Sequence, residues 1–507
     1  MSKAQWCRRG VATLVFAGLT GIFFGLFSVS GGLIRLLPLS QIVPALRILS
    51  LGGIIFLFIL LVLTALCGRL YCSFLCPLGI YQDVILWLGG RFKKLHLRYQ
   101  APLYRVKIPL AALFLLSLLL HRTPLVILLD PYAQYGRFIT NLFKPFVGIL
   151  NNGAGVILEW FGFYRLPFIH LHYVNPAVFT VVFAFFIAVS LPAAVKGRWY
   201  CNTLCPLGTI LGALSRHSLF RIRFNETTCV TCGNCERECK ARCIDSRTRR
   251  VDSGECVSCF NCLAVCPNGS LSFSAAPWAR SSVSGREKRG ASEKRRTFLK
   301  AFFLSFVLPG TARMSREAYR DRMAPVTPPG SLGEAHFSSK CIACNLCVSV
   351  CPNNVLVPSL FDYGWQGILQ PKMNYGISFC SYECNACSQV CPTGAIRPIS
   401  IDLKKTVQLG VSFIEQRYCI PYVHRRDCGA CAEHCPTKAV YMVRKGEVFV
   451  PETNPKVCIG CGVCEYVCPA RPKAITVTAH AVHRTAMLPD GGEAITQDKS
   501  VTYELPF

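Results

Sequence analysis

The chain has 507 residues, 52% of them apolar, with a mean hydropathy of +0.37 and a formal net charge of +28 from 55 Lys and Arg against 27 Asp and Glu. So apolar a composition excludes an ordinary soluble protein, and the positive balance is that of cytoplasmic helix flanks or of a surface facing anionic lipid. No aromatic ribonucleoprotein signature and no Cys/His finger spacing is present, which argues against nucleic acid as a partner, and 31 cysteines in so large and apolar a chain do not fit a small secreted disulfide scaffold.

Four apolar runs occupy the first two hundred residues: Val11 to Ser30, Ile48 to Leu66, Ile108 to Leu129 and Pro176 to Val195. Each approaches the roughly 20 residues a helix needs to cross the hydrocarbon core. The third is interrupted by His121, Arg122 and Pro124, so it reads as a span or as a shorter re-entrant helix. Basic residues set the orientation. Lys3, Arg8 and Arg9, then Arg91, Lys93, Lys94, Arg98, Arg105 and Lys107, then Lys196, Arg198, Arg216, Arg221 and Arg223 mark three cytoplasmic segments, and the charge-poor links 31–47 and 130–175 belong outside.

An internal repeat follows these runs. "GRLYCSFLCPLG" at Gly68 to Gly79 recurs as "GRWYCNTLCPLG" at Gly197 to Gly208, each directly after an apolar run. The membrane part is therefore two copies of one unit, and an even number of spans between the copies puts both signatures on one face. Cys72 with Cys76, and Cys201 with Cys205, are spaced to share a helical face. They read as a redox-active or metal-binding set, or as small buried apolar residues at helix ends.

From Arg221 the chain turns soluble in character. Cys229, Cys232, Cys235 and Cys239, and then Cys256, Cys259, Cys262 and Cys266, follow the C-x2-C-x2-C-x3-C spacing in which three thiolates hold one cubane and the fourth reaches the neighbouring cluster. In that exchanged scheme Cys229, Cys232, Cys235 and Cys266 hold one [4Fe–4S] cluster, and Cys256, Cys259, Cys262 and Cys239 the other. Lys240 stands where proline usually follows the fourth cysteine, and a spare Cys243 is the alternative ligand to Cys239.

A basic, Ser-rich linker, Ser274 to Arg296, leads into a second cysteine region. This has four groups: Cys341, Cys344, Cys347, Cys351; Cys380, Cys384, Cys387, Cys391; Cys419, Cys428, Cys431, Cys435; and Cys458, Cys461, Cys464, Cys468, each ending in Cys-Pro. Two further two-cluster modules follow, paired either in sequence or nested. Zinc sites use two two-cysteine knuckles a dozen or more residues apart, which this pattern is not. Six [4Fe–4S] clusters mean one-electron transfer, and no glycine loop for a nicotinamide nucleotide accompanies them.

Between the regions, Lys294, Arg295, Arg296, Thr297, Phe298, Leu299 and Lys300 match a twin-arginine export signal, followed by the apolar "AFFLSFVL". The alternative is a basic linker beside a short buried helix. As a signal it carries a folded, cluster-loaded domain across the membrane, with room for a fifth, short span.

Residues up to about 270 resemble NapH, the membrane iron–sulfur component of periplasmic nitrate respiration, and residues from about 290 resemble its partner NapG, as though the two were fused. The expected architecture is an α-helical membrane domain with four spans in two repeated units over 1–220, a cytoplasmic two-cluster ferredoxin-like α+β module over 221–273, a linker with the export signal over 274–333, a periplasmic four-cluster region over 334–480 and a tail over 481–507. The resemblance implies a multi-pass protein of the bacterial inner membrane that oxidises quinol and passes electrons to a periplasmic c-type cytochrome or reductase. Quinone is then the substrate and membrane lipid the surroundings. The competing function is a maturation factor in which Cys72, Cys76, Cys201 and Cys205 bind or reduce a metal for another enzyme.

Overall fold

A computed structural model describes residues 3–26, 37–38, 40–48, 50–92, 97–120, 122–162, 167–169, 171, 173–225, 227–275 and 324–489. The twin-arginine segment with Arg295 and Arg296 lies outside the described residues, as do His121, His170 and His172. The chain forms two compact units, one of residues 1–22, 32–138 and 181–313, the other of 23–31, 139–180 and 314–507.

Among the described residues two helices are long and apolar enough to cross a membrane, Ala4–Phe24 and Pro176–Lys196, while Leu51–Cys67 has 17 residues. The third apolar run is not one helix. Tyr104–Leu119 ends where the Arg122 amide donates to the Ser117 carbonyl at 2.8 Å, and Thr123–Leu129 begins afresh with Pro124 in its first turn. Proline lacks the donor that would continue the preceding helix but suits the start of a new one. Aromatic side chains lock the helices together, with Phe16 5.4 Å from Tyr135 and Phe138 edge-on to Phe186 at 5.6 Å.

The expected external link from 130 to 175 is largely helical, with Pro131–Phe138, a π-turn at Ile139–Phe143 and Lys144–Trp160. Lys144 and Asn151 break its apolar run, so a search for uninterrupted apolar stretches passes over it. Its lipid-like face is intermittent, as in an amphipathic helix.

The first ferredoxin module is α+β. Phe220–Phe224 pairs antiparallel with Leu271–Ala275, and Ile244–Asp245 with Arg250–Val251. In the second unit Val407–Ile414 pairs with Ile475–Thr485, Val440–Lys445 with Val448–Thr453, and Leu356–Pro358 with Pro371–Met373. Between strands lie helices of four or five residues, and in all six groups the third cysteine, from Cys235 to Cys464, occupies the second position of one: Asn234–Arg237, Asn261–Val265, Leu346–Ser349, Ala386–Val390, Ala430–Glu433 and Val463–Val467.

Candidate iron–sulfur sites

In the four groups of strict spacing the backbone turns left-handed on both sides of the second cysteine. Thr231 and Gly233 have φ of 52° and 76°, Ser258 and Phe260 49° and 61°, Ala343 and Asn345 53° and 62°, and Gly460 and Gly462 70° and 79°. Such residues turn successive N–H groups into a concavity that receives an anion, as at many iron–sulfur sites. Holding a non-glycine residue there costs roughly 1–2 kcal/mol, so a side chain as large as Phe260 stays left-handed only because its loop demands it. The stretched groups lack this turn: Asn385 and Gly429, each following a second cysteine, have φ of −127° and −111°.

Two cavities are lined by four thiols each. One has Cys229, Cys232, Cys235 and Cys266, walled by Phe224, Val230 and Leu271, and the other Cys419, Cys428, Cys431 and Cys468, walled by Ile414, Ile420 and Ile475. Each takes three cysteines from one group and the fourth from its neighbour. Among the described residues no group of three or more His, Cys, Asp or Glu side chains converges tightly enough for a single metal ion. Four thiols spread round an apolar cavity fit a cubane, whose ligands stand wider apart than those of one tetrahedral ion.

Cys239 is followed by a turn that the missing proline does not alter. The third residue after the fourth cysteine is left-handed in five groups, as Arg242, Gly269, Asn354, Gly394 and Lys438 with φ of 55°, 60°, 55°, 65° and 51°. Arg242 thus takes the geometry that follows four of the five groups that end in Cys-Pro. Cys243 packs against the Cys239 sulfur at 3.6 Å.

The signature cysteines Cys72, Cys76, Cys201 and Cys205 are all buried. Burial pushes the Cys76 and Cys205 thiols up, and the Cys201 thiol to about 11, with neighbouring signature cysteines adding to the effect on Cys76 and Cys205. Cys76, Cys201 and Cys205 are thus protonated at neutral pH unless a bound metal or oxidation removes the proton. Cys201 accepts a hydrogen bond from Gln82 Nε2 at 3.0 Å, and the Cys205 sulfur one from the Gly208 amide at 3.4 Å. Each signature opens on a left-handed glycine, Gly68 at φ 80° and Gly197 at φ 68°, where a Cβ would strike Ser215 and Ser258 or the Lys240 carbonyl. Glycine is required there by both conformation and space.

Sequence reasoning missed the buried polar groups around the signatures. Tyr71 donates to Gln41 Oε1 at 2.8 Å, Gln134 Nε2 to the Tyr200 hydroxyl at 3.1 Å, and Asp130 accepts from the Ala133 amide at 3.0 Å. Tyr71 and Tyr200 occupy equivalent positions of the repeat, which is the signal that could have found them.

Comparison with known proteins completes this picture. A family described as "4Fe-4S binding domain" matches residues 49–96 and 178–225, each window holding one signature, and a "4Fe-4S dicluster domain" matches 340–395 and 424–471. The first of the latter windows takes in the first two groups of the second region and the other the last two apart from Cys419, a division that agrees with the cavity shared by Cys419, Cys428, Cys431 and Cys468. The uncharacterized protein MJ0749 of Methanocaldococcus jannaschii is 27% identical over 54% of this chain and 89% of its own. The ferredoxin-type protein NapH of Haemophilus influenzae is 25% identical over 53% of this chain and 88% of its own. The methylamine utilization ferredoxin-type protein MauM of Methylobacillus flagellatus is 32% identical over 31% of this chain and 71% of its own. The chain belongs to the NapH/NapG-type ferredoxin iron–sulfur proteins. As a ferredoxin-type protein it binds [4Fe–4S] clusters and transfers electrons.

Proposed function

We propose that this ferredoxin-type chain is a multi-pass protein of the bacterial inner membrane that oxidises quinol and delivers electrons to a periplasmic acceptor, a c-type cytochrome or a reductase of the nitrate kind. Six sites carry them. Cys229, Cys232, Cys235 and Cys266 form the outer site of the first module, and Cys256, Cys259, Cys262 and Cys239 its inner site. In the second region the sets are Cys341, Cys344, Cys347 with Cys391; Cys380, Cys384, Cys387 with Cys351; Cys419, Cys428, Cys431 with Cys468; and Cys458, Cys461, Cys464 with Cys435. A bound [4Fe–4S] cluster accepts and releases one electron without changing its ligands.

The membrane reading is supported by surfaces as well as lengths. Leu51–Cys67 buries only Leu60 and Thr64 and exposes Ile55, Phe58, Ile59 and Val62, an apolar face that water would disfavour. Four spans remain the expectation from the sequence; two of the apolar runs form helices of full length among the described residues.

The observation that carries the topology is the partition of the chain. Segments 23–31 and 139–180 cluster with the four-cluster region, and the signature loops cluster with residues 229–266. Residues 139–175 of the second link expected outside on charge thus share a unit with the region expected outside, where Lys144 Nζ donates to the Ser349 carbonyl at 2.5 Å, while residues 32–47 of the first link and 130–138 of the second cluster with the signatures. Buried Asp130, with Tyr71 and Tyr200, offers the polar groups that quinol protons need among apolar helices.

Membranes carrying the protein should bleach cluster absorbance when given a menaquinol analogue; clusters that stay oxidised with every quinol tried would sink the dehydrogenase reading. A phosphatase reporter after Phe507 should be active, and silenced by Arg295→Lys with Arg296→Lys. The four buried signature thiols favour a second reading, metal maturation. On that reading Cys72→Ser releases a copurifying thiophilic metal while quinol-dependent bleaching was never present.

A further inference from the structure

The two signatures are related residue by residue, and equivalent residues in them make contacts of the same kind. Arg69 and Arg198, equivalent in the repeat, are almost wholly buried, at 0% and 1% exposure. Each reaches across to the other copy: Arg69 Nη1 donates to the Gly208 carbonyl at 2.6 Å and Arg198 Nη1 to the Cys72 carbonyl at 2.7 Å. Each also grips the first ferredoxin module beside an inner-site cysteine. Arg69 Nη2 donates to the Glu255 carbonyl at 2.5 Å, next to Cys256, and the Arg198 amide to the Lys240 carbonyl at 2.9 Å, next to Cys239. Ser73 and Asn202, again equivalent, repeat the pattern one turn on, donating to the Val257 carbonyl at 2.5 Å and the Ala241 carbonyl at 2.6 Å.

The charges at this junction do not balance. Arg198 holds Asp83 through two bonds of 2.8 Å, and Lys240 and Arg8 share the same carboxylate at 3.2 and 3.4 Å. Arg69 stands 3.7 Å from Glu255, which Lys107 also pairs. Five cations thus meet two carboxylates. Unpaired buried charge is strongly disfavoured, and an iron–sulfur centre held by four thiolates supplies the missing negative charge. Among the described residues the outer site has no such buried ion-pair frame, only the exposed Arg237 Nη2 donating to the Cys232 carbonyl at 3.4 Å, and its Cys232 is exposed whereas Cys239, Cys259 and Cys262 are buried.

We propose that Arg69 and Arg198 are positioning residues for the inner cluster: they fasten its two flanks to the paired signature loops and, through fixed positive charge, raise its reduction potential above that of the outer cluster. Reduction adds one negative charge to the centre, so nearby cations favour the reduced form. Guanidinium groups stay charged throughout the working pH range. This rests on the ligand sets given above. Electrons exchanged between the helical part and the module then pass by the inner site, the one against which both signature loops lie.

Full-length holoprotein in detergent, titrated with a redox mediator series and read by electron paramagnetic resonance, tests it. Cys232→Ser and Cys259→Ser assign the outer and inner signals. Arg69→Gln and Arg198→Gln should each lower the reduction equilibrium constant of the inner cluster at least tenfold, about 59 mV for a one-electron couple, and leave the outer unchanged. Arg69→Lys and Arg198→Lys, which keep the charge, should stay within threefold of wild type and keep the inner cluster even where the Gln variants lose it. An inner potential that stays put, that moves equally with the outer, or that falls as far in the Lys variants overturns the inference. Failure to find two signals that Cys232→Ser and Cys259→Ser separate would instead overturn the ligand sets.

Discussion

In the module of residues 229–266 the contacts to neighbouring helices run through buried charges, with Arg69, Lys107 and Glu255 on one flank and Arg198, Lys240 and Asp83 on the other. The region from 341 to 468 instead encloses thiols in an apolar core. Cys419, Cys431, Cys464 and Cys468 pack with Val440, Ala474 and Ile475, and the Val407–Ile414 and Ile475–Thr485 strands close over them. One loop design therefore serves in two settings. A module that must sit in one register on another domain uses directional, charged contacts, because a misplaced charge is heavily penalised. A region that packs on itself uses non-directional apolar burial.

The largest expected effect comes from removing iron. Helices of four or five residues around strained loops are far below the length that is stable alone, and ligation energy in such domains is folding energy. Anaerobic chelation should abolish hydrogen-exchange protection in both cysteine regions while the Pro176–Lys196 helix keeps its own; retained protection in the second region would show that its apolar core suffices without metal.

Next is Glu255→Gln, which leaves Arg69 and Lys107 buried without their carboxylate. Breaking such a pair typically costs about 3–5 kcal/mol, and limited proteolysis should then release the module at its flanks. Ile475→Ala, at a site 3% exposed, removes apolar volume from the second region and should cost about 2–5 kcal/mol, lowering the unfolding temperature of that region without freeing the first module. Equal responses of both regions to both changes would erase the contrast.

Acid is a gentler probe. Burial works against ionisation of Asp83, yet Arg198 and Lys240 outweigh it and hold the carboxyl well below the usual range. A depressed carboxyl gives its full stabilisation above its unfolded value, about pH 4, and loses it only as pH falls towards the folded value. The attachment should thus be unchanged from pH 7 to about pH 5, and release within that interval would count against it. Smallest of all is Lys445→Ala, which removes a 2.9 Å pair with Glu452 on the second region's surface. Exposed pairs contribute about 0–1 kcal/mol, so its unfolding curve should overlay the wild type.

Much of the site was legible because ligand chemistry is local. Three cysteines at intervals of three can close round one centre whatever surrounds them, and the repeat of Gly68 to Gly79 at Gly197 to Gly208 is visible as text. The unusual Cys239-Lys240 pair became interpretable only through Arg242, whose left-handed φ matches the third residue after four of the five fourth cysteines followed by proline. The apolar run at Ile108 to Leu129 misled for the opposite reason. Composition records apolarity, but the break at Pro124 depends on which carbonyls find donors.

The sequence by itself determined the cysteine groups, the cofactor class and the repeat, since each depends on spacing along a short piece of chain. Only the tertiary structure decided that two distant signatures cross-bond through Arg69 and Arg198, that they meet the module beside Cys239 and Cys256, and that residues 139–180 join the second unit. These contacts join positions more than a hundred residues apart, as Arg69 and Gly208 are. Burial and directional hydrogen bonding select them from many pairings that the sequence leaves equally open.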